Sequence, residues 1–295
     1  MNKFAFVILH YNSIEDTCAC VESIENNCRT YDFRIYVIDN ASPNGTGKEL
    51  FEKYKHNAQI NVIMSEENKG FAKGNNLGIS QAQIDGYADF IVVLNNDTKI
   101  IQQNFCEIIA NEYEKSGFAV LGPTIYTPLG ITNINPGRDH IVQGEELKII
   151  KTFYTRTLKF ISNKNSLLLW FNQKKMGLWR RVQSKGKSKF AYTENCLLHG
   201  CCLIFSKKYL DVMRGFDSRT FLYYEEEILY LHCMKHELKT VYNPDLKIWH
   251  KEDGATDSVF ASSTAKQIFV YENILKSIKV YESILEEYNL EKGNK

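Results

Sequence analysis

Prolines are scarce, five in 295 residues, and no Gly/Ser-rich tract accompanies them, so the chain offers no obvious flexible linker between separate domains. No run approaches the roughly 18 to 20 apolar residues that span a bilayer. The opening MNKFAFVILHYNSIEDT lacks the apolar length and small-residue cleavage site of a signal peptide, which points to a cytoplasmic protein. The eight cysteines include no CxxC pair, and Cys201 and Cys202 sit together inside an apolar run; reduced, mostly buried thiols fit this pattern better than zinc or disulfides. Net charge is nearly absent as well, with 36 Lys+Arg against 35 Asp+Glu. That balance hides a local absence. From Leu147 to Thr193 there is no acidic residue beside 12 Lys/Arg, which leaves 24 basic and 35 acidic residues for the rest of the chain.

What is present is enough to build a large core: 44% of residues are apolar and 13% aromatic, excluding disorder and collagen-like repeats. The length allows one α/β domain with an insertion. Short β-branched runs alternate with helical patterns in the first half, the mark of βαβ units around a mostly parallel sheet. Strands are expected at Phe4–Leu9, Arg34–Asp39, Ile60–Met64, Phe90–Leu94 and Ala119–Leu121, and helices at Glu15–Ser23 and Phe71–Ala82. Further on, Leu197–Phe205 reads as a buried strand, Tyr223–Lys235 as a helix and Ile248–His250 as a short extended piece. From Thr264 to Tyr288 apolar residues recur every three or four positions, an amphipathic helix that could pack internally or pair with a second subunit.

Polar clusters close the strands: His10, Tyr11 and Asn12; Asp39 and Asn40; Asn95, Asn96 and Asp97. Ligands of parallel α/β sheets bind at the carboxyl ends of strands, so three such clusters together favour a site, although each acid singly also suits a helix cap. The segment from Ser65 to Asn76 carries Gly70 and Gly74 at a strand-to-helix junction, where backbone can approach a ligand and a helix N-terminus offers N–H donors to an anion. It matches neither the dinucleotide-binding nor the P-loop glycine pattern. Asp97, just past a buried strand, suits Mg²⁺ or Mn²⁺, with nucleotide phosphates and a second protein ligand completing the shell.

Taken together and in order, VILHYNS, VIDNAS, ENKGFAKGNN, LNND, GFDSRTFLYYEEEIL and IWH resemble the inverting glycosyltransferases of family 2, most closely the rhamnosyltransferase-like branch. The resemblance implies the GT-A fold, with a nucleotide-sugar-binding half over 1–125, a basic aromatic insertion over 138–192, an acceptor and catalytic half over 193–262, and a C-terminal helix over 263–295. It also implies roles. Tyr11 and Asn12 would line the nucleoside pocket, Asp39 would accept from a pyrimidine N3–H, and Asn68, Gly70, Phe71, Asn75 and Asn96 would border the nucleotide and its sugar. Asp97 would be the last acid of the DxD metal motif, whose first acid is here Asn95, and His250 would be the second metal ligand. Imidazole suits Mn²⁺ better than Mg²⁺. The catalytic base would be Glu226, with Glu225 beside it; the family's E-D-x-D is changed here at Glu226 and at Ile228.

An inverting transfer needs a carboxylate to deprotonate the acceptor and a cation to neutralise the departing diphosphate. The donor implied is dTDP-rhamnose or a UDP-hexose, and the acceptor a growing glycan on a lipid carrier of a bacterial surface polysaccharide. Within 148–189, basic residues interleave with Phe153, Tyr154, Phe160, Trp170, Phe171 and Trp179, a composition suited to the surface of an anionic bilayer at the inner face of the plasma membrane. The bland alternative is a solvated basic excursion with its aromatics in the core. Nucleic acid is not expected, because no nucleic-acid module accompanies the basic residues. The rival from another class is a non-catalytic nucleotide-sugar or glycan-binding protein of the same fold.

Overall fold

The structure is a computed structural model and describes residues 2–131, 134–183, 190–252 and 263–293. The ends of the expected basic insertion (184–189) and of the expected acceptor half (253–262) lie outside the described residues.

The chain runs first through β1 (Lys3–His10), α1 (Ile14–Cys28), β2 (Asp32–Asp39), α2 (Thr46–Tyr54), β3 (Ile60–Met64), α3 (Gly70–Ile84), β4 (Phe90–Asn95), β5 (Thr98–Ile100), α4 (Phe105–Ser116), β6 (Val120–Thr127) and β7 (Gly130–Ile131). Then come α5 (Gly144–Ser162), α6 (Ser166–Gln183), β8 (Thr193–Glu194), β9 (Cys202–Ser206), α7 (Lys207–Met213), α8 (Glu225–Lys235), β10 (Thr240–His250) and α9 (Ser263–Gly293). The strands form one sheet in the order β3-β2-β1-β4-β9-β6-β10-β5, with β7 on β6 and β8 on β10. Pairs β1–β2, β1–β4, β2–β3 and β10–β6 are parallel, while β9 runs antiparallel to both β4 and β6.

The apolar runs are continuous because the central strands are covered on both faces. In β1, Phe4, Phe6 and Ile8 face a core completed by Cys20, Val21 and Ile24 of α1 and Phe105 and Ile109 of α4. Ala5 and Val7 face the opposite core with Ala72 and Ile79 of α3, Tyr209 of α7 and Leu229 and Cys233 of α8. The period of two along the strand thus divides the molecule into three layers. All eight cysteines are unbridged, and seven are buried.

Several expectations change. The expected strand at 197–205 forms only from Cys202, and it is antiparallel. The expected short piece at 248–250 is the end of the eleven-residue β10, which is interrupted in register between Tyr242 and Lys247. The basic segment is helical, α5 and α6, and its aromatics are not all in the core: Trp170 and Phe171 stand exposed. Helix α9 packs internally. Its Ile274, Ile278, Tyr281, Ile284, Leu285 and Tyr288 form a third apolar cluster with Val142, Leu147 of α5, and Ile228 and Leu231 of α8. Tyr281 donates to the Val142 carbonyl at 3.0 Å, and Lys151 pairs with Glu282 at 2.7 Å. No described helix is long and apolar enough to cross a membrane.

Candidate active site

Strand direction decides what meets at the carboxyl edge of the sheet. β1, β2 and β4 end there at His10, Asp39 and Asn95, while β9, being antiparallel, brings its start there, preceded by His199, Gly200 and Cys201. β10 ends at the same edge, and its antiparallel register with β5 sets His250 opposite Thr98. Asp97 therefore lands beside His250, with 3.2 Å between Asp97 Oδ1 and His250 Nε2. A cavity of about 540 Å³ opens at this edge, within the usual size for a bound small molecule.

Of the residues expected from sequence, Tyr11, Asn68, Gly70, Phe71, Asn96, Asp97, Glu225, Glu226 and His250 line the cavity. Asn12, Asp39 and Asn75 stand behind its wall. Asp39 is buried, accepts the Ser42 N–H at 3.2 Å, and abuts Gly47, where any Cβ would fall 2.2 Å from Asp39 Oδ2. Asn75 donates to the Phe71 carbonyl at 3.0 Å, and Asn12 adopts a left-handed conformation with φ 65°. Asn40, the neighbour of Asp39, reaches the cavity instead. It donates to Asn68 Oδ1 at 3.0 Å and accepts the Lys69 N–H at 2.8 Å.

The glycine-bearing segment works differently from the expectation that it offers N–H groups to an anion. Gly70 donates to Asn68 Oδ1 at 3.0 Å, and Phe71 donates to the Phe221 carbonyl at 2.9 Å. With the Lys69 amide on Asn40, these amides at the start of α3 are already taken by protein. Gly70 has φ +75°, and a Cβ there would sit 2.0 Å from the Phe221 oxygen. The glycine admits another chain segment, the loop before α8, and so ties the start of α3 to that loop.

That loop delivers the acids. Tyr223 and Tyr224 are both left-handed, φ 69° and 71°, a strained pair in non-glycine residues that turns the chain sharply into α8. Glu226 lines the cavity, and its Oε1 accepts the Gly200 N–H at 3.0 Å. Glu225 is buried and accepts from Thr220 Oγ1 at 3.2 Å; burial first, and then the charge of Glu226, pushes its carboxyl up to about 8. Glu225 is thus a mostly protonated neighbour of Glu226 at neutral pH. Glu227 points away and pairs with Arg138. Asp217, the acid of the GFD segment, is held by His232 at 2.9 Å and by Arg219, and stays far below the ordinary carboxylate range through those hydrogen bonds, against the opposing effect of burial. Ser277 of α9 donates to the Leu222 carbonyl at 3.0 Å, so the C-terminal helix fastens the same loop.

Both ring nitrogens of His250 are buried without a hydrogen-bond partner although Asp97 is adjacent; a cation beside Asp97 would take the lone pair of Nε2 and leave Nδ1 as the N–H. Among the described residues no group of three or more His, Cys, Asp or Glu side chains could hold a metal ion. Among the described residues Asp97 and His250 are thus the two candidate ligands, and a diphosphate would have to supply others. His199 was not expected. It is half-buried, accepts the Cys201 N–H on Nδ1 at 3.2 Å, and its ring centre lies 6.1 Å from that of His250; desolvation lowers its pKa. The signal available was its place just before an apolar run, which matters only once that strand is known to run antiparallel.

Comparison with known proteins agrees with this architecture. S. aureus TarS superposes with a TM-score of 0.50 at 15% identity, over 84% of this chain and 36% of that one. TarS 1–349 in complex with UDP-GlcNAc gives 0.51 at 14% identity, over 92% and 65%. At such identities the likeness speaks for the fold. Over 84 residues the chain is 30% identical to the teichoic acid poly(glycerol phosphate) polymerase of Staphylococcus epidermidis, a match that spans 28% of this chain and 12% of that polymerase. The family model described as "Glycosyl transferase family 2" matches residues 5–213, well over half of the chain, and stops before Glu226 and His250, which are placed by geometry. With the sheet order, the acids at the strand ends and this match in agreement, the chain belongs to glycosyl transferase family 2.

Proposed function

We propose that the chain transfers a sugar, with inversion, from a nucleotide-diphospho-sugar to a glycan on a lipid carrier in bacterial surface-polysaccharide synthesis. The observation that carries this reading is the single cavity shared by Glu226, the Asp97–His250 pair and the nucleotide-side residues Tyr11, Asn68 and Asn96.

Glu226 accepts the proton of the acceptor hydroxyl as that oxygen attacks the anomeric carbon and the bond to the diphosphate breaks. The Gly200 amide fixes the carboxylate, and Glu225, neutral beside it, adds no second charge. Asp97 and His250 would hold Mn²⁺ or Mg²⁺, the remaining positions going to diphosphate oxygens and water. Bound there, the cation would neutralise charge on the leaving nucleoside diphosphate. No thiol is required. dTDP-rhamnose and UDP-hexoses are the donors to test, with UDP-N-acetylglucosamine among them because a TarS complex holds UDP-GlcNAc. A lipid-linked acceptor places the enzyme at the cytoplasmic face of an anionic membrane, to which the basic segment is suited.

The test is a thermal-shift panel of UDP, dTDP, GDP and CDP with and without Mn²⁺. A ligand at about 100 times its Kd stabilises by about 2.7 kcal/mol. A metal-dependent shift with UDP or dTDP is expected, followed by turnover of the matching sugar; no shift with any nucleotide would overturn the reading.

A further inference from the structure

Helix α6 is apolar on two sides. Its inward side carries Leu169, Asn172 and Met176: Met176 is buried, and the Asn172 amide donates to the Phe153 carbonyl at 3.1 Å and to Thr157 Oγ1 at 2.8 Å, which seats α6 on α5. At about 100° per residue, Leu167, Phe171 and Leu178 fall within roughly 40° of one another on the opposite side. They are 63%, 55% and 63% exposed. Trp170, half exposed, flanks the stripe with Lys174, whose ammonium lies 5.4 Å from the indole centre, and Lys175 flanks the other edge. No acidic residue occurs between positions 147 and 193.

We propose that this outward face of α6 is an interfacial membrane-docking surface, with Leu167, Phe171 and Leu178 entering the acyl boundary of an anionic bilayer and Lys174 and Lys175 staying among the lipid phosphates. The inference deepens the membrane part of the preceding reading and is independent of sugar transfer. Three arguments select a bilayer. A water-soluble polyanion would engage the lysines but give the three apolar side chains nowhere dry to go. A second copy meeting the same face across a two-fold axis would set Lys174 and Lys175 against their own counterparts with no acid on that face to pair them. A bilayer interface takes both parts together, apolar side chains inward and cations at the headgroups.

The experiment is flotation of the full chain with phosphatidylglycerol/phosphatidylcholine vesicles and with pure phosphatidylcholine, at low and high salt. Trp emission is followed with brominated lipids, and the apparent mass in solution is measured in parallel. Binding to anionic vesicles is expected, with quenching that the Trp170→Phe variant reduces while its flotation persists. The Leu167→Ser/Phe171→Ser variant alters exposed side chains only, and is expected to bind at least about tenfold more weakly and to lose the fraction that survives high salt. Lys174→Glu/Lys175→Glu should lose the preference for anionic lipid. Equal binding by wild type and the serine variant would overturn the proposal in favour of charge alone. So would binding of polyphosphate without vesicles, or a dimer that the serine variant dissociates. Nucleotide thermal shifts on the same variants should be unchanged, so failure here is distinguishable from failure of the donor reading.

Discussion

The Gly200 amide donates to Glu226 Oε1 at 3.0 Å, and a Cβ at Gly200 would stand 2.7 Å from that same oxygen. The backbone thus approaches the carboxylate as closely as a hydrogen bond permits, and only glycine leaves the oxygen where it is. One oxygen of the carboxylate is thus occupied by the main chain, at the wall of the cavity that Glu226 lines.

From this follows the sharpest kinetic expectation. Glu226→Gln keeps the size of the side chain and removes its basicity, so kcat should fall by about 10² to 10⁴ while the nucleotide thermal shift persists. Gly200→Ala should leave the fold intact, because the crowded atom ends a flexible side chain, yet displace the carboxylate and lower kcat more than it raises KM. Transfer assays beside thermal shifts check both; full activity in Glu226→Gln would remove this residue as the base.

Glu225 makes a prediction about pH. Its carboxyl is raised from the ordinary 4.5 to about 8 by burial, with the charge of Glu226 adding to it. A group protonated in the folded state and ionised in the unfolded one contributes stability that is full below about 4.5 and declines as pH rises towards 8. The slope is at most about 1.4 kcal/mol per pH unit in that window. Denaturation midpoints measured from pH 5 to 8 should fall accordingly. Glu225→Gln should flatten the profile and be relatively more stable at pH 8, and Glu226→Gln should flatten it in part.

The strands that build this edge were readable because burial on both faces makes β1, β2 and β4 continuous apolar runs, each closed by polar residues. β10 was not. Its Tyr-Asn-Pro-Asp centre looks like a turn, and the break in register between Tyr242 and Lys247 is where the ladder accommodates it. α6 was hidden because its apolar residues stand both on the side packed on α5 and on the opposite, exposed side, which blurs the helical period. Asp39 and Asp97 stood out by their position after strands, and Glu225, Glu226 and His250 by the family resemblance. His199 did not, because a residue preceding a strand reaches this edge only if that strand is antiparallel, a property of the sheet order and not of any local pattern. Gly70 and Gly74 stood out for the wrong reason: they make room for the Phe221 carbonyl and the Leu9 side chain of the same chain.

The orphaned imidazole of His250 predicts a metal response measurable without turnover. Mn²⁺ with UDP should raise the melting temperature of the wild type more than UDP alone. Asp97→Ala and His250→Ala should each abolish that increment, since two protein ligands cannot spare one. Binding of Mn²⁺ followed by its electron paramagnetic resonance signal in the presence of UDP reads the same loss directly. An unchanged Mn²⁺ increment in both variants would dissociate the pair from any cation.

His199 separates support of the backbone from a part in transfer. Its Nδ1 accepts the Cys201 N–H, so the neutral ring carries its proton on Nε2, and burial favours that neutral form. His199→Ala strips a buried amide of its acceptor and should cost about 1 to 3 kcal/mol. His199→Asn can return an acceptor to the same amide and should recover most of that stability, yet it lacks the second ring donor, Nε2–H. If the ring donates to the diphosphate or the acceptor, the asparagine variant folds normally but transfers sugar at least about tenfold more slowly. Recovery of both stability and rate would assign His199 to holding the Gly200–Cys201 backbone, and through it the amide that orients Glu226.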